Sequence, residues 1–151
     1  MDLKRKLVRL GPLALAVAAS CGSGDTGSLP AACQEPADSL RTALAQAPAA
    51  VELGGTPISG CLVKGSDSAD IQRVGTGYVE VAADLRAAAA REPEGDHALM
   101  LGYLVGAVKR GSERTQGIHT ELVRRLEQEA GALPSHSRAY ARGERAGRRS
   151  G

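Results

Sequence analysis

The sequence contains no phenylalanine and no tryptophan, and its aromatic residues are three tyrosines. This scarcity excludes modules that read bases by stacking them on aromatic side chains, so no nucleic acid is predicted as a partner. With only three cysteines in 151 residues, the chain is not a disulfide-dense scaffold. No apolar run approaches the roughly 20 residues that a membrane-spanning helix needs, which excludes a membrane channel.

The chain also lacks the short motifs of common catalytic sites, namely G-x-S-x-G, C-x-x-C and the phosphate-binding P-loop. Its histidines, His97, His119 and His136, are isolated and show no metal-ligand spacing, so we expect them on the surface. Catalysis needs several converging groups, and the sequence offers none. We therefore predict a protein that is not an enzyme and that holds no cofactor or metal.

Charge is distributed unevenly along the chain, although the formal net charge is only +2. Residues 1–20 contain four basic residues and one acidic residue, and residues 138–151 contain five arginines and one glutamate. The segment between these two ends is acidic. This pattern indicates that the basic ends have roles separate from that of the body.

The first basic end has the layout of an export signal. Residues 1–9 are short and basic, residues 10–19 are apolar, and small residues lead to Cys21. Because about ten apolar residues cannot span a hydrocarbon core of roughly 30 Å, residues 1–20 are predicted to be a signal peptide.

The residues Ala18, Ala19, Ser20 and Cys21 resemble the lipobox of bacterial lipoproteins, with Ala18 standing where that motif usually has a large aliphatic residue. The resemblance implies that Cys21 becomes the N-terminus and is lipidated, which gives an exported lipoprotein anchored to a membrane of the cell envelope. Cleavage after the A-x-A sequence at 16–18 is the alternative, and it would release a secreted soluble protein. An uncleaved N-terminal anchor is a third possibility.

Lipidation also simplifies the assignment of the cysteines. Three cysteines in an exported protein leave one thiol unpaired unless one cysteine has another use. If Cys21 is acylated, Cys33 and Cys61 remain as an even pair in an oxidising compartment, so we predict a disulfide between them. In the chain-entropy treatment, closing this loop stabilises the fold by about 3–4 kcal/mol.

The mature chain divides by composition into three parts. Residues 21–32 are rich in Gly and Ser and predict a flexible tether, residues 33–134 predict a helical domain, and the basic residues 135–151 predict a disordered tail. Apolar residues three and four positions apart predict helices over 35–47, from 66–68 to 91, and over 96–130. Residues 109–112 are the point where the last of these helices is most easily broken.

The predicted fold class is therefore all-α, a small bundle of about three helices. The second and third helices are expected to form a long antiparallel hairpin that the first helix covers on one side. Gly102 and Gly106 form a G-x-x-x-G motif within about eleven apolar residues. This stretch is too short to span a membrane, which favours close packing inside the bundle.

Two surfaces are candidates for binding. The apolar face of the third helix is longer than its neighbours can cover, which predicts a possible interaction face for another envelope protein at Ile118, Leu122 and Leu126. The second candidate is the basic tail, whose arginines share one side if the segment is helical. They either contact an anionic surface or simply solubilise a disordered end, and composition favours the latter. These arginines are Arg138, Arg142, Arg145 and Arg149.

Taken together, the sequence predicts a non-enzymatic interaction or structural module of the bacterial cell envelope. The alternative is a small-molecule-binding helical bundle in the periplasm or outside the cell, with a pocket between the helices near Tyr78 and Tyr103. A secreted enzyme is a third and weaker interpretation, because no catalytic motif supports it.

Overall fold

The structure is a computed structural model that describes residues 29–34, 37–64, 68–115, 117, 119–131, 133 and 137–151. The predicted signal peptide and Cys21 lie outside these residues, as do Ile118 and His136. The described residues form six α-helices, one 3-10 turn and one short antiparallel strand pair. The prediction of a mainly helical fold is confirmed, with twice as many helices as expected.

The first elements are short. A 3-10 turn at Ala31–Gln34 precedes α1 (Ala37–Leu44), and the strands β1 (Glu52–Leu53) and β2 (Thr56–Pro57) precede α2 (Ile58–Lys64). The tight turn between the strands uses Gly54 and Gly55, whose φ angles of 54° and 79° are disfavoured for residues with a side chain. The later helices are α3 (Ser68–Ala89), α4 (Asp96–Arg114), α5 (Thr120–Ala130) and α6 (Arg138–Ser150).

The second predicted helix corresponds to α3. Its buried side contains Val74, Tyr78, Val81 and Leu85, which belong to the apolar stripe that predicted the helix. The first predicted helix corresponds to α1, which ends at Leu44. Periodicity therefore located both helices within a few residues.

The third predicted helix is wrong, because it is two helices. α4 continues through Gly111 and ends at Arg114, where the N–H groups of Thr115 and Gly117 both donate to the carbonyl of Ser112. Gly117 has a φ angle of 83°, a left-handed conformation that ends helices. α5 then packs against α3 and α4, so the continuous apolar face of 96–130 does not exist.

α4 is the central helix of the fold. All of residues 101–108 are buried, because α2, α3, α5 and α6 all contact this helix. The feature that looked like a weak point, Gly111, is a packing site, since a Cβ there would lie 2.8 Å from Cδ1 of Leu62 in α2. Gly111 therefore lets α2 approach α4 and does not break the helix.

The prediction that residues 135–151 form a disordered tail is wrong, because residues 138–150 form α6. Ser137 caps this helix, accepting the N–H of Tyr140 at 3.0 Å and donating to the carbonyl of Pro93 at 2.6 Å. α6 buries small residues against α4, so its packing does not depend on large aliphatic side chains. The buried residues of α6 are Ala139, Gly143, Ala146 and Gly147.

The predicted tether at 21–32 also overlaps the folded body. Leu29 is 2% exposed and belongs to the core, and the side-chain amide of Gln34 donates to its carbonyl at 3.0 Å. The packed part of the chain therefore begins no later than Leu29. No helix in the described part of the chain combines the length and the apolar character that a bilayer crossing requires.

Candidate functional site

α4 and α6 contact each other through their backbones along a row of glycines on each helix. A Cβ added to any of four glycines would lie 2.0 to 2.2 Å from a carbonyl oxygen of the other helix. Residue numbers increase together along this glycine seam, so the two helices run parallel. The contacts join Gly102 to the carbonyl of Tyr140, Gly106 to that of Glu144, Gly143 to that of Leu99, and Gly147 to that of Tyr103.

The glycine seam fixes which side of α6 faces the solvent. A hydrogen of each glycine takes the place of the Cβ and points at the carbonyl oxygen, an arrangement worth about 0.5–1 kcal/mol per contact. The interpretation of the motif at Gly102 and Gly106 as close packing inside the bundle is confirmed. Any residue on the side of α6 away from these glycines is consequently exposed.

That outer side carries a row of four exposed arginines, which we call the arginine face. Their spacings of four, three and four positions place them on one side of the helix. No carboxylate of a described residue lies within 4.0 Å of their guanidinium groups. The flanking Arg148, by contrast, pairs with Glu113 at 2.7 Å. The arginine face consists of Arg138, Arg142, Arg145 and Arg149.

An ionic cluster joins α4, α5 and α6. Lys109 Nζ lies 2.6 Å from a carboxylate oxygen of Glu127 and 2.7 Å from one of Glu144. Burial lowers the pKa of Lys109, but the hydrogen bonds to both carboxylates reverse this, so that the pKa is raised overall. Lys109 therefore stays charged at neutral pH and ties three helices together.

A cleft of about 370 Å³ lies between α3 and α5. Ile71, Val79 and Leu122 give it half-buried apolar walls. Glu121 and Arg125 lie at its exposed edge, and the hydrogen bonds from Arg124 and Arg125 lower the pKa of Glu121 to about 2. The other residues that line the cleft are Gln72, Gly75, Thr76 and His119.

His119 was expected on the surface, and this prediction is wrong because its side chain is 2% exposed. Its Nε2 lies 3.0 Å from the backbone carbonyl of Leu62. Since a carbonyl oxygen can only accept, Nε2 is the donor in this contact. Nδ1 is fully buried, and no residue in the described ranges hydrogen-bonds to it. His97, by contrast, is exposed as predicted.

The predicted interaction face on the third helix is not available as a surface. Leu126 is fully buried, and Leu122 is half-buried in the wall of the cleft. The reason is the break after Arg114, which folds α5 back so that its apolar side meets α3 and α4. Ile118 lies outside the described residues.

The structure brings Cys33 and Cys61 together, as the cysteine count predicted. The 3-10 turn and α2 hold their Cα atoms 5.4 Å apart with the sulfur atoms at bonding distance, which is consistent with the expected disulfide. Both side chains are buried. The pair therefore staples the N-terminal segment to α2.

Tyr78 and Tyr103, beside which the small-molecule pocket was expected, are held in buried hydrogen bonds. Tyr78 donates to the carbonyl of Ile58 at 3.0 Å, and the hydroxyl of Tyr103 accepts the N–H of Val51 at 3.0 Å. Both side chains are buried, and burial raises the pKa of Tyr78. The space beside Tyr78 measures about 20 Å³, which is room for little more than one water molecule.

The chain matches no protein-family model, no curated protein and no solved structure. Within the described ranges, no group of three or more His, Cys, Asp or Glu residues is placed to hold a metal ion. The arginine face of α6 and the cleft between α3 and α5 are therefore the two surface features that bear on function.

Proposed function

We propose that the protein is a non-enzymatic interaction or structural module of the bacterial cell envelope, held at a membrane by a lipid on Cys21. The arginine face of α6 is the observation that carries this proposal. Four exposed guanidinium groups that have no carboxylate partner among the described residues form a surface suited to anionic lipid headgroups. The lipid and the arginine face then act as two anchors on one membrane.

The described fold is compatible with two anchors on one membrane, because its first residues and the end of α6 lie near the same helix. Cys33 lies beside Cys61 of α2, and the hydroxyl of Ser59, also in α2, donates to the carbonyl of Gly151 at 2.6 Å. Both the start of the described fold and the end of α6 are therefore adjacent to α2. Eight peptide units join Cys21 to the first described residue, and they span at most about 28 Å. A lipid on Cys21 consequently keeps the end of α6 within reach of the headgroups.

The energies of the two anchors explain why both are useful. A basic residue close to an anionic membrane surface contributes about 1 kcal/mol. If two of the four arginines are in contact at any time, they contribute about 2 kcal/mol, which corresponds to about thirtyfold in membrane affinity. Stable attachment of a lipid-modified protein takes two signals, and the second can be either another acyl chain or a basic patch.

We expect replacement of all four arginines of the arginine face by glutamine to weaken binding to phosphatidylglycerol-rich vesicles about thirtyfold. The reason is the loss of unpaired positive charge from one side of α6. Vesicle cosedimentation at low salt measures the change. Binding to pure phosphatidylcholine vesicles should be unaffected, and added salt should weaken wild-type binding.

A matched control removes the same formal charge from other parts of the molecule. Arg73, Arg91, Arg114 and Arg124 lie on or next to α3, α4 and α5, and their replacement by glutamine should change vesicle binding much less. Equal losses in the two quadruple variants would show that only net charge matters. That result would remove the basis for a membrane-facing side of α6.

We expect Cys21→Ala to move the protein from the membrane fraction to the soluble or unprocessed fraction, because the acylated thiol is lost. Intact-mass analysis of wild-type protein extracted from membranes should show an N-terminal cysteine carrying acyl chains. A wild-type protein that begins at Ala19 with an unmodified Cys21 would contradict lipidation and support secretion.

A further inference from the structure

We propose that Arg145 and Arg149, which we call the arginine clamp, together bind one phosphate monoester, the headgroup of a membrane lipid such as phosphatidic acid. This inference rests on the proposed function, because it names the anion that the arginine face prefers. A phosphodiester headgroup provides a single negative charge, whereas a phosphate monoester carries about 1.5 to 2 negative charges at pH 7. The arginine clamp therefore distinguishes two kinds of lipid phosphate.

The first observation is the spacing of the arginine clamp. Its two residues are exposed and four positions apart on α6, so their Cβ atoms lie about 5–6 Å apart on one side of the helix. Two long side chains that start at this distance can direct both guanidinium groups at the same phosphate. Each guanidinium can donate two parallel hydrogen bonds to phosphate oxygens, and the two positive charges balance a dianion.

The second observation is that the fold holds the arginine clamp in place. An isolated helix of 13 residues is only marginally stable in water. α6 is fixed by the glycine seam, in which Gly143 and Gly147 lie against backbone carbonyl oxygens of α4. These two glycines flank Arg145 in the sequence. The backbone of the arginine clamp is therefore in position before a lipid binds, which reduces the entropy lost on binding.

The third observation concerns the carboxylates that face α6. Glu144 lies 2.7 Å from Lys109, and Glu113 lies 2.7 Å from Arg148, so both carboxylates are engaged by other basic residues. In the ranges that the structure describes, no carboxylate is within 4.0 Å of the arginine clamp. A phosphate therefore competes with no described acidic side chain for these two guanidinium groups.

The two ends of the arginine face differ in charge, which assigns the clamp to the C-terminal end. At the start of α6, the carboxylate of Glu94 accepts the backbone N–H groups of Arg138 and Ala139 at 3.0 and 3.2 Å. It places a negative charge beside the first two arginines of the face. At the other end, the guanidinium of Arg110 donates to the backbone carbonyl of Arg149 and adds a positive charge.

A membrane lipid is the source of the phosphate, because the arginine face contains a second pair. Arg138 and Arg142 precede the arginine clamp by seven positions, so the two pairs are about 10 Å apart along the helix. A membrane surface offers a headgroup to both pairs at once, and the two contacts then reinforce each other. A free phosphate ion meets one pair only and gains nothing from the other.

Phosphatidylcholine vesicles that contain either phosphatidic acid or phosphatidylglycerol, matched in zeta potential, test the proposal with the full chain. Matching removes the contribution of overall surface charge. Wild-type protein should bind the phosphatidic acid vesicles about tenfold more tightly than the phosphatidylglycerol vesicles. Arg145→Lys combined with Arg149→Lys should bring this ratio close to one, since lysine keeps the charge but lacks the planar fork of donors.

Two further double variants are matched to this change. Arg73→Lys with Arg124→Lys alters arginines of α3 and α5, outside the arginine face, and should leave the ratio at about tenfold. Arg138→Lys with Arg142→Lys alters the other pair of the face and should lower the ratio less than the change in the arginine clamp. Circular dichroism checks that each variant is folded.

The outcomes separate this inference from the proposed function. A wild-type ratio near one, with phosphatidylglycerol vesicles still bound, would overturn the arginine clamp and leave the membrane-facing role of α6 intact. No binding to either kind of vesicle would overturn both. A tenfold ratio that persists in the double lysine variant of the clamp would show that charge alone selects the lipid, and would also overturn it.

Inorganic phosphate tests the source of the anion. At millimolar concentration it should displace no more protein from phosphatidic acid vesicles than sodium chloride of the same ionic strength. Stronger displacement by phosphate would show that the arginine clamp is a site for the free ion and would contradict the lipid assignment.

Discussion

Gly143→Ala is expected to lower the free energy of unfolding by at least about 3 kcal/mol, the upper end of the usual cost of overpacking. The added Cβ would lie 2.0 Å from the carbonyl oxygen of Leu99, and that oxygen is part of a helix backbone that cannot rotate away. To relieve the clash, α6 must move away from α4, which breaks the other contacts of the glycine seam. Because small domains have a total stability of only about 5–15 kcal/mol, Gly143→Ala combined with Gly147→Ala should unfold the protein.

Urea unfolding followed by circular dichroism measures this effect, and Gly77→Ala is its control. Gly77 also lies in the middle of a helix, but a Cβ there meets nothing within 4 Å. Gly77→Ala should therefore stabilise the protein by about 0.5–1 kcal/mol through helix propensity. The two glycine-to-alanine changes thus have opposite expected signs. A Gly143→Ala variant as stable as wild type would show that α6 does not pack on α4 in this register.

The disulfide has a similarly large expected effect. Replacing both Cys33 and Cys61 by alanine should lower the free energy of unfolding by about 3.5 kcal/mol, since the unfolded chain regains the freedom of a loop of 28 positions. The double variant is preferable to either single one because it leaves no reactive thiol. Urea unfolding measures the loss, and the midpoint should fall while the helical circular dichroism signal of the folded state persists.

Dithiothreitol provides a control without any mutation. Reduced wild-type protein should show the same midpoint as the double variant, and dithiothreitol should not change the double variant itself. Peptide mapping without reductant should identify Cys33 and Cys61 in one linked fragment. Free thiols at both positions in protein taken from the envelope would contradict the disulfide.

A helix that buries one of its sides was the feature best predicted from the sequence. The spacing of Val74, Tyr78, Val81 and Leu85 located α3, because the apolar residues of this helix recur every three or four positions. The pairing of Cys33 with Cys61 followed from counting cysteines and agrees with the structure. In both cases the types of residue and their positions in the sequence were enough for a correct prediction.

The sequence did not predict α6, because the contact of this helix with α4 depends on small residues. Ala139, Gly143, Gly147 and Gly151 recur every four positions, which is the signal that α6 packs closely against another helix, and the five arginines obscured it. The glycine seam stabilises the fold by bringing two backbones together, and it does so without large aliphatic side chains. The partner motif at Gly102 and Gly106 was visible, and pairing the two motifs would have predicted α6.

The outcome for each candidate site depended on contacts between residues that are far apart in the sequence. The break after Arg114 turned the proposed interaction face into core at Leu126, and no residue pattern within α5 shows which helix it will meet. The cleft depends on the separation of α3 from α5, and the unpartnered Nδ1 of His119 depends on a backbone carbonyl 57 positions away. Such features arise only when the helices are assembled.

The position of α6 along the chain has a consequence for the order of folding. α4 is the central helix, yet the helix that covers its glycine row is synthesised about 40 residues later. Until α6 is available, α4 leaves backbone and apolar surface uncovered, so a nascent chain has no complete core around which to close. The core around α4 therefore closes only after α6 has been synthesised and has left the machinery that holds the nascent chain.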